Sequence, residues 1–262
     1  MEKNIFIDKL INISGVKNVD MGAVSNLYDK INLSKRTGKT IYSNEFYTPN
    51  IWSALLKLDS YFDVTFRTNG IFDEADRRVV AIGNENCHHY PIKLIKIKSK
   101  SKFSSVSHRD FLGSIMALGV KREKFGDLIL QEDICYVAVF EEITDYLVDN
   151  LIKVKNSPCS LELLDELHEE MPTHKYEYLN VLSTSLRLDC VVSSICNISR
   201  NKSEELIRQG KVQVNYFPEL RRDTLLNLNN IIVIRGYGKF VINNTIGTTG
   251  SGRLKLQIKK YI

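Results

Sequence analysis

Five cations, Arg187, Arg200, Lys202, Arg208 and Lys211, fall within one short stretch of the chain, and their side-chain types suit phosphate binding. An arginine offers a planar fork that can meet two phosphate oxygens at once, and a lysine adds a mobile point charge. The residues between them predict the elements that must hold them. Leu188, Val191, Val192 and Ile195 recur at i, i+3, i+4 and i+7, the spacing of one helix face. A second short helix is predicted to begin near Ser199-Arg200-Asn201-Lys202, with Ser199 or Asn201 as N-cap. Gly210 can end it in the left-handed conformation, and Lys211-Val212-Gln213-Val214-Asn215 then alternates as a strand. The five cations lie off the apolar face of this unit.

The charge balance supports the same location. The 262-residue chain has 36 Lys and Arg against 31 Asp and Glu, a net of +5. Residues 1–181 hold 23 basic and 26 acidic side chains, and residues 182–262 hold 13 and 5. The body is therefore at −3 and the last third at +8, which reads as a polyanion-binding module on a slightly acidic body. No apolar run approaches the roughly 18–20 residues of a membrane helix, so no membrane partner is expected. The N-terminus lacks the apolar core of a secretory signal, and a cytoplasmic location is predicted. Five cysteines without a C-x-x-C pair argue against disulfides and zinc knuckles, leaving Cys87, Cys135, Cys159, Cys190 and Cys196 as free, buried thiols.

Upstream, the pattern predicts an α+β chain of three small domains. Residues 1–85 mix helical and strand signals: a helix after Pro49 through Ile51, Leu55, Leu56 and Leu58, a strand at Tyr61 to Phe66, and a turn at Asn69-Gly70. A polar break from Asn84 to Pro91 marks the boundary. Residues 90–165 then run as a strand (Ile92 to Ile97), a helix (Phe111 to Leu118), strands at Asp127 to Gln131 and Ile134 to Phe140, a helix from Glu141 to Leu151, and a strand around Ser160 to Leu164. This β-α-β-β-α-β order is that of a ferredoxin-like domain. Residues 166–181 read as a linker, because Asp165 to His174 is acidic and poor in apolar residues. Residues 182–262 form the third domain.

The string Arg187-Leu188-Asp189, Ser199-Arg200, Leu206-Ile207, Gly210, Val212 and Val214-Asn215 resembles the alpha-L RNA-binding module named after ribosomal protein S-four. Three further segments widen the resemblance: Ser107-His108-Arg109-Asp110-Phe111-Leu112-Gly113, Ala117 to Asp127, and Ile234 to Phe240 with Gly247-Thr248-Thr249 and Gly252-Arg253. Together they are similar to the bacterial YlmH family, whose central domain resembles an RNA-recognition motif and precedes a C-terminal S-four domain. Asn69-Gly70 stands where that family has Gly-Gly, and Asn229-Asn230 where it has Gly-Asp. The resemblance implies a monomeric, non-catalytic protein that docks on structured RNA, rRNA and tRNA of the large ribosomal subunit, in translation quality control or rescue of stalled ribosomes. It implies RNA contacts at Arg187, Ser199, Arg200, Lys202, Ser203, Arg208, Lys211 and Asn215. Secondary RNA or ribosome contacts are expected at Arg109, Lys121, Arg122 and Lys239.

Several strings imitate enzyme motifs. His108-Arg109-Asp110 lacks the Asn of a kinase catalytic loop, Ile115 occupying that position, and Ser107 with Asp110 reads as a helix-capping pair. Lys98-Ser99-Lys100-Ser101 has no H-x-G-H partner, and Gly247 to Gly252 reads as a hairpin turn. Asp189 lies inside the module's first helix and is expected to pair with an arginine or cap the helix rather than act on RNA. His88, His89, His168 and His174 match no metal-ligand spacing, and no metal or cofactor is predicted. Two alternatives stay open: an RNA-modifying enzyme with an unrecognised site, and a scaffold for protein partners. Tyr136 and Phe140 could serve as stacking residues on the central sheet or simply as core.

Overall fold

A computed structural model describes residues 2–14, 21–84, 89–100, 106–164 and 171–261. Cys87, His88, His168, Ser101 and half of the Asn84 to Pro91 break lie outside the described residues, as does 166–170 of the expected linker. The chain divides into two compact units, Met1–Thr173 and His174–Ile262.

The first unit opens with helices α1 (Lys3–Ser14) and α2 (Met21–Thr37), followed by strand β1 (Ile41–Tyr42) and helix α3 (Pro49–Lys57). Pro49 occupies the first turn of α3, where its missing N–H costs no helical hydrogen bond. Strands β2 (Phe66–Asn69) and β3 (Val79–Ile82) complete a sheet of order β1-β3-β2. The predicted strand at Tyr61 to Phe66 is mostly loop. Asp59 to Tyr61 makes a 3-10 turn, and the Asp59 carboxylate accepts the Phe66 amide at 2.9 Å, so the alternating Phe62 and Val64 are buried by a folded-over loop. At the Asn69-Gly70 turn, Asn69 Oδ1 accepts the Ile71 amide at 2.7 Å. Gly70 is required there, since a Cβ would lie 2.5 Å from both Ala75 Cβ and the Arg77 carbonyl.

The expected β-α-β-β-α-β succession follows as β4 (Ile92–Ser99), α4 (His108–Ala117), β5 (Phe125–Gln131), β6 (Ile134–Phe140), α5 (Thr144–Asn150) and β8 (Ser157–Leu164), with the short β7 (Lys153–Val154) inserted before the last strand. The antiparallel sheet has order β5-β6-β4-β8-β7. Strand alternation sorts its residues to two faces. Ile95, Ile97, Cys135, Val137 and Val139 face α4 and α5, burying Phe111, Ile115 and Leu147. Ile92, Leu94, Ile129, Ala138 and Phe140 face the other way and pack on Phe46, Phe72, Ala75 and Val79 from the N-terminal segment. Both faces of the central sheet are thus covered, and the segments expected as separate domains share one hydrophobic cluster.

The second unit contains β9 (Tyr176–Ser183), α6 (Leu188–Cys196), α7 (Arg200–Arg208), β10 (Val212–Val214), β11 (Phe217–Pro218), β12 (Ile231–Ile234), β13 (Gly238–Thr248) and β14 (Leu254–Tyr261). Its antiparallel sheet has order β11-β10-β12-β13-β14-β9. Residues 176–181 of the expected linker therefore belong to an edge strand, paired with β14 from Tyr176↔Tyr261 to Ser183↔Leu254. Leu188, Val191, Val192, Leu206 and Ile207 of the two helices pack on Ile232, Ile234, Phe240, Ile242, Leu256 and Ile258 of the sheet. No helix among the described residues is long and apolar enough to cross a membrane.

Candidate nucleic-acid interface

The predicted helix pair is present, and a buried carboxylate ties its two halves together. Asp189, in the first turn of α6, is 0% exposed. Arg187, the N-cap residue, grips it with two bonds, Nε to Oδ1 at 3.0 Å and Nη2 to Oδ2 at 3.2 Å. Arg200, the first residue of α7, adds Nη2 to Oδ2 at 2.6 Å. Burial raises the Asp189 pKa, but the hydrogen bonds and charges of Arg187 and Arg200 outweigh it and hold the carboxyl down to about 2. The same bonds raise the pKa of both guanidiniums. The arginine side chains remain 36% and 53% exposed, so each is anchored at its inner edge and open at its outer one. The expected pairing of Asp189 with an arginine is what the structure shows.

The backbone reinforces this corner. Leu188 and Asp189 amides donate to the carbonyls of Thr224 and Arg222, and Leu226 donates to Leu186, which clamps the 222–226 segment against the start of α6. Left-handed Asn197 (φ 52°) ends α6, and Ser199 caps α7 by accepting the Lys202 amide at 3.3 Å. Gly210 leaves α7 at φ 68°, as the sequence predicts.

The structure separates the other expected contacts. Arg208 is exposed and Lys211 is half-buried. Lys202 is exposed and bonds Glu205 at 2.8 Å. Ser203 is a correction: it is fully buried, and its hydroxyl donates to the Asp189 carbonyl at 2.8 Å, joining α7 to α6. Its position about one helical turn before Leu206 and Ile207, which stand at i+3 and i+4 from it, was the available signal of a buried face. Asn215 is a second correction. It forms, with Tyr216, the two-residue turn between β10 and β11, both at positive φ (49° and 69°), and its Oδ1 accepts the Ile231 amide at 3.0 Å. Its side-chain oxygen is spent on the start of β12. Ser199 likewise serves as a cap.

Among the secondary candidates, Arg109 and Lys121 are exposed. Arg109 lines a shallow cleft with Lys153 and Lys155, and the expected capping pair below it forms, Asp110 Oδ2 accepting the Ser107 amide at 2.9 Å and hydroxyl at 2.8 Å. Arg122 is a third correction. Its Nη1 donates to the carbonyls of Phe125 (2.6 Å) and Gly126 (3.0 Å), and its guanidinium lies 4.5 Å over the Phe125 ring. Burial and then the neighbouring Arg77 charge pull its pKa down to about 10. Arg122 braces the core instead of facing a ligand. Lys239 lies over two tyrosine rings, Tyr261 at 4.4 Å and Tyr216 at 5.4 Å. On the central sheet, Phe140 is 4% exposed against Phe46 and Tyr136 packs against the same cluster, so core packing accounts for both.

Cys135 and Cys190 are buried free thiols, while Cys159 and Cys196 are only partly buried. Burial raises the Cys135 and Cys159 thiols and pushes Cys196 up to about 11. Among the described residues, no three His, Cys, Asp or Glu side chains converge as metal ligands would.

Comparison with known proteins bears on the same segments. The family described as "Putative RNA-binding domain in YlmH" matches residues 86–167. A Bacillus subtilis (strain 168) protein named "Ribosome-associated protein quality control protein P2" is 26% identical over 220 residues, spanning 82% of this chain and 86% of its own. Residues 86–167 are thus similar to the RNA-binding domain of the YlmH family. A solved structure titled "Cell division protein ylmH from Streptococcus pneumoniae" is 18% identical, covers 59% of this chain and 98% of its own, and has a TM-score of 0.47. The matched RNA-binding segment spans β4 to β8 and so coincides with the β-α-β-β-α-β succession.

Proposed function

We propose that this protein belongs to the YlmH family and is a non-catalytic, cytoplasmic, monomeric RNA-binding protein that docks on rRNA and tRNA of the large ribosomal subunit during quality control of stalled translation. The observation that carries the reading is the Arg187–Asp189–Arg200 triad. A buried carboxylate fixes two guanidiniums side by side, so their outer N–H groups meet phosphate oxygens without first losing side-chain freedom. Arg208, Lys202 and Lys211 extend the positive surface. Such a surface reads the shape and backbone of folded RNA more than its base sequence. The B. subtilis relative's name supports the ribosomal setting. Residues 90–165 fit a ferredoxin-like domain. With its sheet covered on both faces, that domain offers Arg109, Lys121, Lys153 and Lys155 as its contribution.

Binding to ribosomal subunits or a structured rRNA fragment, followed across salt concentration, tests this. Replacing Arg208 or Lys211 by Ala is expected to weaken binding and to lower the log–log salt slope by about 0.9 or less for each phosphate contact removed. Arg200→Lys keeps the charge while losing the planar fork, and is expected to weaken binding without unfolding the helix pair. Variants that bind as tightly as the parent, with the parent's slope, would overturn the assignment.

A further inference from the structure

The face of the C-terminal sheet turned away from α6 and α7 carries a different chemistry. Strand register places Tyr176 and Tyr178 of β9 beside Tyr261 and Lys259 of β14, and Val241, opposite Lys259, puts Lys239 of β13 on the same face. The core residues Leu179, Ile258, Phe240 and Ile242 point to the other side.

Rings and cations alternate across this face. Tyr178 meets Tyr176 edge-on at 5.6 Å between centroids. Lys259 Nζ lies 4.1 Å over Tyr176 and 4.9 Å from the Tyr261 centroid, and Lys239 links Tyr261 to Tyr216. Tyr176 and Tyr178 are 44% and 51% exposed. Glu177, the acidic residue between them, points to the opposite face, where it pairs with Lys260 at 2.8 Å.

We propose that this face is a second RNA site, which takes about two or three consecutive unpaired nucleotides by stacking bases on Tyr178, Tyr176 and Tyr261 and seating phosphates on Lys259 and Lys239. Tyrosine rings on alternate residues of a strand, interleaved with lysines, match a polymer that repeats a flat base and a negative phosphate. An apolar protein partner would have no use for the lysines, and a duplex would hide the base faces that the tyrosines receive. The site is independent of the helical phosphate surface, which lies on the other side of the sheet.

Fluorescence anisotropy of a short labelled oligouridylate with the full-length protein tests the site. The parent is expected to bind in a salt-dependent way. Tyr178→Leu is expected to weaken binding about fivefold or more, the lower end of base-stacking contributions, while Tyr178→Phe keeps the ring and the affinity. Tyr178→Leu should leave thermal stability and structured-RNA binding unchanged, and Arg208→Ala should leave oligouridylate binding unchanged. The two RNA surfaces can therefore fail separately. Absent binding by the parent, parental affinity in Tyr178→Leu, or an equal loss in Tyr178→Phe would each overturn the site. So would displacement of the oligonucleotide by polyglutamate as effectively as by unlabelled oligouridylate, which would mark the face as a docking surface for acidic protein segments.

Discussion

Asp189 holds the guanidiniums of both Arg187 and Arg200 from a buried position. Removing its charge strands two arginines that were oriented by it, so Asp189→Asn is expected to lower stability by about 1.5–3 kcal/mol, the range for hydrogen bonds to charged groups. Thermal unfolding of parent and variant checks this. The pH dependence has a definite sign. The folded carboxyl is held near 2, below the ordinary aspartate value of about 3.9. Its stabilising contribution is complete well above that ordinary value and drains away as pH falls through about 2. The stability gap between parent and Asp189→Asn should therefore close progressively on acidification. A gap that stays constant down to the acid limit would show that the arginine pairing is not its source. The same geometry explains why Arg200→Ala is a poor probe of RNA binding, since it strips a partner from a buried charge.

At the scale of elements, Gly126 sits where the N-terminal segment closes over β5. A Cβ there would stand 2.9 Å from Phe46 Cε1 and 3.2 Å from Ala138 Cβ. Gly126→Ala is expected to destabilise the protein by about 1–3 kcal/mol through overpacking. Chemical denaturation of the single variants and of Gly126→Ala combined with Phe46→Ala should show the two changes to be non-additive, because one ring is the source of both effects. The elements legible in the sequence are those whose signal is local. The α6–α7 pair announces itself through Leu188, Val191, Val192, Leu206 and Ile207 and through Gly210. Strand β9 was hidden because its partner β14 lies about 80 residues further on, and Tyr176 and Tyr178 face away from the core. Ser203 and Asn215 have polar side chains that the fold consumes, one inside a helix contact and one in a turn. Arg122 turns inward towards carbonyls that composition alone does not locate.

At the scale of the molecule, the second unit has its own core and all of the basic excess. A fragment spanning residues 174–262 is expected to unfold cooperatively and to bind structured RNA with nearly the salt slope of the full chain. Circular dichroism melts and the same salt titration would show it, and a fragment that folds but loses most of the slope would assign phosphate contacts to the first unit. The first unit behaves differently when cut. Its central sheet relies on Phe46, Phe72, Ala75 and Val79 for one of its two covers. The stretch 86–167, although it is the portion that family likeness delimits, would leave Ile92, Leu94, Ile129, Ala138 and Phe140 facing water if produced alone. Such a fragment should stick to itself and collect in insoluble form, and appending residues 40–85 should restore a dispersed product. On this expectation, the segment that the family model matches and the segment that can stand alone in water end at different places in this chain.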